Sequence, residues 1–230
     1  PTDVMETGSD ILFFWVARMI MLGIYVTGEV PFKTVYLHGL IRDVNRQKMS
    51  KSKGNVISPI EMSEKYGTDA LRMALVVGNT PGSDMALSED KIKGYKHFAN
   101  KIWNASRFVL ENTKDFDFRK RPEIMEEDKK LLDELSAEIK TITDDIESYR
   151  FYMAAEKLYH YFWHNFADII IEKSKANLAS PKKGERESTQ WTLFEILSTL
   201  IKAAHPFMPF ITEEIWSFLP IKNKELLMIE

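Results

Sequence analysis

A change of periodicity at Pro81-Gly82 constrains this chain more than any other feature. Before it, two runs read as strands, Asp3–Glu6 and the β-branched and aromatic Thr34–Ile41 (Thr-Val-Tyr-Leu-His-Gly-Leu-Ile). After it, the apolar residues recur only at helical spacing. Two strands cannot close a sheet by themselves. The remaining strands are therefore missing, or supplied by segments upstream of Pro1.

Between the two strand runs, Gly8-Ser9-Asp10 opens a nearly all-apolar helix, Ile11-Leu12-Phe13-Phe14-Trp15-Val16. Such a segment is predicted to be covered on most sides. The apolar stretch Ile11–Ile24 is interrupted by Arg18 and is shorter than the ~20 residues that span a bilayer, so a buried helix is expected and no membrane association. The first residues, Pro1-Thr2-Asp3, contain no initiator methionine, basic region or cleavage site, which fits a sequence that begins inside a longer protein.

Ser58-Pro59-Ile60-Glu61 combines an N-cap serine, proline at the first helical position and a glutamate after it. Gly67 ends that helix, and Thr68 can cap another running through Leu71 and Leu75 to Gly78-Asn79. Beyond the turn, five stripes follow: Ile92, Tyr95, Phe98, Ile102, Ser106 and Val109; Leu135, Ile139, Ile142, Ile146 and Tyr149; Phe151, Ala155, Leu158, Phe162, Phe166 and Ile169; Leu193, Leu197, Leu200 and Ile201; Ile215, Trp216 and Leu219. Breakers separate them at Arg121-Pro122, Ser180–Gly184 and His205-Pro206 with Pro209. Five amphipathic helices make a bundle. The predicted fold is α/β followed by all-α, with residues 1–82 in the first part and 83–230 in the second.

Apolar residues make up 44% of the chain, which excludes a disordered or low-complexity protein. The absence of cysteine excludes disulfides, thiol catalysis and cysteine-bound zinc, and fits a reducing compartment. A net charge of −3 is too small for binding by overall charge, so affinity for nucleic acid must come from local clusters. One such cluster is obvious. Residues 42–53 hold Arg42, Arg46, Lys48, Lys51 and Lys53 against Asp43 alone, a net +4. Small hydroxyls and a glycine interleave these cations, a composition suited to gripping and releasing phosphates. At a partly desolvated triphosphate, a fixed ammonium opposes charge that builds in the transition state.

Lys48-Met49-Ser50-Lys51-Ser52 is the KMSKS motif of class I aminoacyl-tRNA synthetases, and its surroundings resemble the valyl branch. The resemblance runs through Thr7–Met19, His38-Gly39-Leu40, Gly54-Asn55-Val56-Ile57, Tyr66–Arg72, Asn100–Phe108 and His205–Phe210. It implies the second half of a Rossmann-like catalytic domain followed by a helical anticodon-binding bundle. The activity implied is ATP-dependent activation of valine and its transfer to tRNA(Val), with Mg2+ as cofactor, in a cytoplasmic monomer.

By the same resemblance, Lys51 meets the developing pyrophosphate charge, Lys48 supports it, and Met49, Ser50 and Ser52 belong to the ATP-closing loop. Gly8 lets the backbone approach the adenylate, and Asp10 suits a ribose hydroxyl or the substrate ammonium. His38 and Gly39 lie near the nucleotide, His38 as a binding residue and not a base. Ile11 and Trp15 wall the valine pocket, although without the resemblance core packing would be the simpler account of both.

On the helix after Pro81, Lys93, Lys96, His97, Asn100, Lys101, Asn104 and Arg107 form a cationic, amide-rich face suited to RNA phosphates and sugars. An ordinary solvated face explains it equally well. The segment 123–147 has ten acids and three bases and should face away from RNA. His160 and His164 stand one turn apart, a spacing that can bind zinc, but no third ligand is evident and a structural role is expected. The second class I signature, HIGH, does not occur, nor does an editing insertion against threonine, so these residues are not expected to catalyse alone. Three alternatives stay open: an isoleucyl or other class I relative, disfavoured by Ile11 where isoleucyl enzymes carry glutamine after the aspartate; a standalone tRNA-binding module; and a helical interaction protein.

Overall fold

The computed structural model describes residues 1–221 and 225–229, with Lys51 described by its backbone alone. The chain divides into two compact units. One contains residues 1–58 and 78–88, the other residues 59–77 and 89–230.

In the first unit, β1 (Thr2–Gly8) and β2 (Phe32–His38) pair in parallel, in register from Thr2 opposite Phe32 to Gly8 opposite His38. Between them run a 3-10 turn (Ser9–Ile11), a π-turn (Leu12–Val16) and α1 (Ala17–Thr27). Gly28, at φ 75°, ends α1 by donating its N–H to the Ile24 carbonyl. The sequence predicts a covered helix here, and the structure leaves most of it open to solvent. Val16 is fully buried, but Phe13 is 78% exposed and Tyr25 88%. Two strands offer too little surface to cover an apolar helix, so most of it has no partner among the described residues. By length and composition, Ser9–Thr27 is also long and apolar enough to cross a membrane, where the sequence predicts a segment that is too short. It nevertheless leads directly out of β1 and back into β2, and the open edges of such a strand pair are not tolerated in hydrocarbon.

The predicted strand Thr34–Ile41 changes partner part-way. After His38 the chain leaves β1, and β3 (Ile41–Arg42) pairs in parallel with β4 (Met85–Ala86). The reason is the returning segment 82–87, whose Gly82, Met85 and Leu87 amides donate to the carbonyls of Leu37, Leu40 and Arg42. It passes so close that a Cβ on Gly39 would lie 1.6 Å from the Ser83 carbonyl oxygen.

The second unit is helical: α2 (Pro59–Tyr66), α3 (Thr68–Val76), α4 (Glu89–Asn112), α5 (Glu126–Glu147), α6 (Phe151–His160), α7 (Ile171–Leu178), α8 (Lys183–Ala204) and α9 (Pro209–Phe218). The predicted breakers mark the helix limits: Arg121-Pro122 and His205-Pro206 fall between helices, Ser180–Gly184 runs into the first turn of α8, and Pro209 opens α9. A π-helical stretch, Tyr161–Ile170, joins α6 to α7. Its wider turn rotates the apolar stripe, so Ile170 and Ala167 are buried while the expected Ile169 is 47% exposed. α8 is the hub, packed against α4, α5, α6, α7 and α9. Phe98, Phe162, Phe166 and Trp216 are fully buried in the core, each contributing about 1.5–3 kcal/mol by burial.

Two sequence blocks interlock here. The Asp69 carboxylate accepts the N–H groups of Phe210 and Ile211, which open α9, at 3.2 and 2.7 Å. Arg72 donates to the carbonyls of Pro206 and Phe207 at 2.9 and 3.1 Å.

Candidate functional site

Parallel pairing brings the carboxyl ends of β1 and β2 to one edge, where α/β folds place their ligands. Four sequence-predicted residues collect there. A Cβ on Gly8 would lie 2.7 Å from Asp10 Oδ1 and 3.5 Å from the His38 ring, so these three are neighbours. His38 places Nδ1 3.0 Å from the Gly39 carbonyl oxygen and Nε2 3.4 Å from the Glu6 carboxylate. Gly39 has a packing reason of its own, the approach of Ser83. Ile11 and Trp15 lie at the start of the helical run, 37% and 59% exposed.

The basic loop grows out of β3. Arg42 forms a bridge with Lys48 and ion-pairs with Asp84, whose other oxygen accepts the Leu40 N–H at 3.0 Å. The Arg42 guanidinium holds the Asp84 carboxyl below its usual range. Asp43 then builds the turn: Oδ1 accepts the Asn45 and Gln47 amides at 3.0 and 2.8 Å, and Arg46 takes the left-handed conformation at φ 59°. Across the loop, Asn55 donates from Nδ2 to Asp43 Oδ2 at 2.7 Å and accepts the Ser50 N–H on Oδ1 at 2.9 Å. That Asn55 hydrogen bond, followed by the Gln47 amide, lowers the pKa of Asp43.

Ser50 and Ser52 place their hydroxyls 3.2 Å apart over a single 3-10 turn, Lys51–Lys53. Lys48 is exposed and Met49 half-buried. The Lys51 side chain, singled out by the sequence, lies outside the described residues.

On α4, Lys93, Lys96, Asn100, Asn104 and Arg107 are exposed, and Lys101 is half-buried. The face is less free than its charges suggest. Lys101 pairs with Asp168 at 2.6 Å and lies over the Trp163 ring, Arg107 approaches Glu111 at 3.8 Å, and Lys96 donates to the Lys65 carbonyl at 3.2 Å.

Residues 1–88 match the family model described as tRNA synthetases class I (I, L, M and V), and residues 128–230 match the anticodon-binding domain of tRNA ligase. Over 99% of its length the chain is 46% identical to the valine–tRNA ligase of Pseudothermotoga lettingae, covering 26% of that protein. It is 45% identical to that of Geobacter sulfurreducens over 96% of the chain and 25% of the relative. The chain belongs to the valyl-tRNA synthetase family of class I ligases. It spans about a quarter of the length of these synthetases.

Solved synthetases share the fold at lower identity. A leucyl enzyme of Agrobacterium radiobacter K84, in a ternary complex with tRNA and LeuAMS, superposes with a TM-score of 0.80 at 21% identity, over 99% of this chain and 28% of its own. The Mycobacterium tuberculosis methionyl-tRNA synthetase in complex with methionyl-adenylate gives 0.76 at 22%, over 94% and 44%.

Within this synthetase segment, no group of three or more His, Asp or Glu among the described residues could hold a metal ion. His160 and His164 have ring centroids 5.5 Å apart, and His164 faces Asp168 at 3.6 Å. Sequence reasoning missed Asn55, Asp84 and Trp163 as parts of these surfaces. Asp43, the one acid in a basic loop, was the available signal that the loop is braced from within.

Proposed function

We propose that these residues serve valine–tRNA ligation. A valine carboxylate oxygen attacks the α-phosphorus of ATP, the bond to the bridging oxygen breaks, and pyrophosphate leaves. The 2′-hydroxyl of the terminal adenosine of tRNA(Val) then attacks the valyl carbonyl and releases AMP. Positioning and charge neutralisation do most of the catalysis at phosphorus. Lys51 and Lys48 supply positive charge toward the leaving pyrophosphate, with Met49, Ser50 and Ser52 shaping the loop. Gly8, Asp10, His38 and Gly39 bind the adenylate edge, while Ile11 and Trp15 contact valine. The exposed α4 residues Lys93, Lys96, Asn100, Asn104 and Arg107, with Lys101, contact tRNA. Residues 1–82 thus serve the catalytic side and 83–230 the tRNA side.

Among the described residues, no cluster of carboxylates forms a cage for Mg2+. A magnesium ion in the reaction would be held largely by the phosphates of ATP, as is usual for this ion. The observation that carries the reading is an unbroken KMSKS loop rooted on β3, in the same unit as the carboxyl ends of β1 and β2. Amino-acid-dependent ATP–pyrophosphate exchange by a full-length ligase carrying these residues tests it. Exchange stimulated by valine far more than by isoleucine supports it; exchange indifferent to valine contradicts it.

A further inference from the structure

We infer that Asn55 and Asp43 are positioning residues, a two-residue latch that fixes the KMSKS backbone from outside the motif; as a role in catalysis, this rests on the valine-activating function proposed above. One side chain joins the two ends of the loop. Asn55 donates to Asp43 Oδ2 at 2.7 Å and to the Lys48 carbonyl at 3.4 Å, and accepts from the Ser50 amide at 2.9 Å. Asp43 is held in turn by the Asn45 and Gln47 amides, at 3.0 and 2.8 Å. Gly54, at φ 65°, makes the left-handed step just before Asn55.

The polarity of the contact is specific. Asp43 only accepts, and its two oxygens serve three N–H donors, so Asn55 must present its amide nitrogen there and its oxygen to Ser50. A latch with this polarity pins residues 48–50 while leaving the turn that carries Lys51 at its free end. Loop closure over ATP then starts from a backbone already anchored, and the cost of ordering it falls.

The test is a charge swap in a full-length ligase carrying these residues. Asn55→Asp sets two carboxylates face to face, and Asp43→Asn turns an amide toward the backbone donors or toward Asn55. The double variant D43N/N55D restores the bond between the two side chains with its donor reversed and keeps the Asn45, Gln47 and Ser50 amide bonds, losing only the 3.4 Å donation to the Lys48 carbonyl. Each single variant is expected to lower the maximal rate of valine-dependent ATP–pyrophosphate exchange about tenfold to a hundredfold, with KM for valine within about threefold of wild type. The swap should recover at least about tenfold over the slower single variant.

Tryptic cleavage after Arg46, Lys48, Lys51 and Lys53 reads the same latch without any activity: faster in each single variant, restored in the swap. Single variants that exchange and resist trypsin like wild type overturn the latch, as does a swap no better than either single. A wild-type enzyme that shows no valine-dependent exchange, yet has the trypsin pattern expected here, contradicts the function and leaves the latch standing.

Discussion

Asp69 accepts the Ile211 amide at 2.7 Å, so a carboxylate from α3 caps the first turn of α9. The two residues are far apart in sequence, and neither block carrying them declares the contact. Burial raises the pKa of Asp69, with the Ile211 and Phe210 amides opposing the rise. Removing the acceptor leaves two part-buried N–H groups without that partner.

Asp69→Ala is therefore predicted to lower the unfolding free energy by about 1–3 kcal/mol. Urea denaturation of the chain checks it. A midpoint unchanged from wild type would mean that water replaces the cap at no cost.

Asp145 predicts a pH effect of definite sign. Its nearly buried carboxylate pairs with Lys157 and Arg150, both at 2.7 Å, and the Lys157 contact first, then Arg150, holds its pKa below 3.8. The stability it contributes is present above 3.8 and is lost as pH falls through the lowered folded value. Asp128 has the opposite sign: burial raises its pKa despite hydrogen bonds from Ser188 and Thr189, so its unfavourable contribution grows as pH rises from 3.8. Urea midpoints measured from pH 5 down to pH 2.5 should fall less steeply for Asp145→Asn than for wild type. Parallel curves would contradict the pairing.

Gly39→Ala tests the strand that changes partner. The new methyl cannot coexist with the Ser83 carbonyl at 1.6 Å, and backbone cannot rotate away as a side chain can. Overpacking of this kind costs about 1–3 kcal/mol or more. Hydrogen exchange at the Gly82, Met85 and Leu87 amides should accelerate sharply, and protection equal to wild type would refute the close approach.

The α4 face predicts unequal cations. Lys93→Ala and Lys96→Ala should each reduce the salt slope of tRNA binding by about 1. Lys101→Ala should reduce it less, because Asp168 already compensates that charge, and Asp168→Asn should tighten binding. Filter binding between about 50 and 200 mM salt separates these outcomes. Equal slopes for all three lysine variants would show that the Lys101–Asp168 pair does not hold in solution.

Much of this architecture was legible from spacing alone. Pro122, the Ser180–Gly184 run and Pro209 mark the helix limits, and Leu193, Leu197, Leu200 and Ile201 all point into the core as their stripe requires. Three features were not legible, each because a non-local effect overrides a local pattern. The π-helical stretch exchanges Ile169 for Ile170. α8 buries Ser188, Thr189, Gln190 and Thr192, polar residues that read as solvated until partners such as Asp128 and the Asn112 carbonyl are seen. The helix from Leu12 onward exposes Phe13 and Tyr25, because apolarity signals the need for a cover without saying where the cover lies.

At the candidate site, the motif made the cations visible but not what holds them. Asp43 stood out by charge, whereas Asn55 acts through the polarity of its amide, which no spacing rule reports.

The most direct test of the central claim, that the KMSKS loop neutralises charge on the departing pyrophosphate, is Lys51→Ala in a full-length ligase carrying these residues. Valine-dependent ATP–pyrophosphate exchange should slow by about a hundredfold or more, while valine affinity measured by equilibrium dialysis stays within about threefold. Exchange at the wild-type rate would contradict the claim.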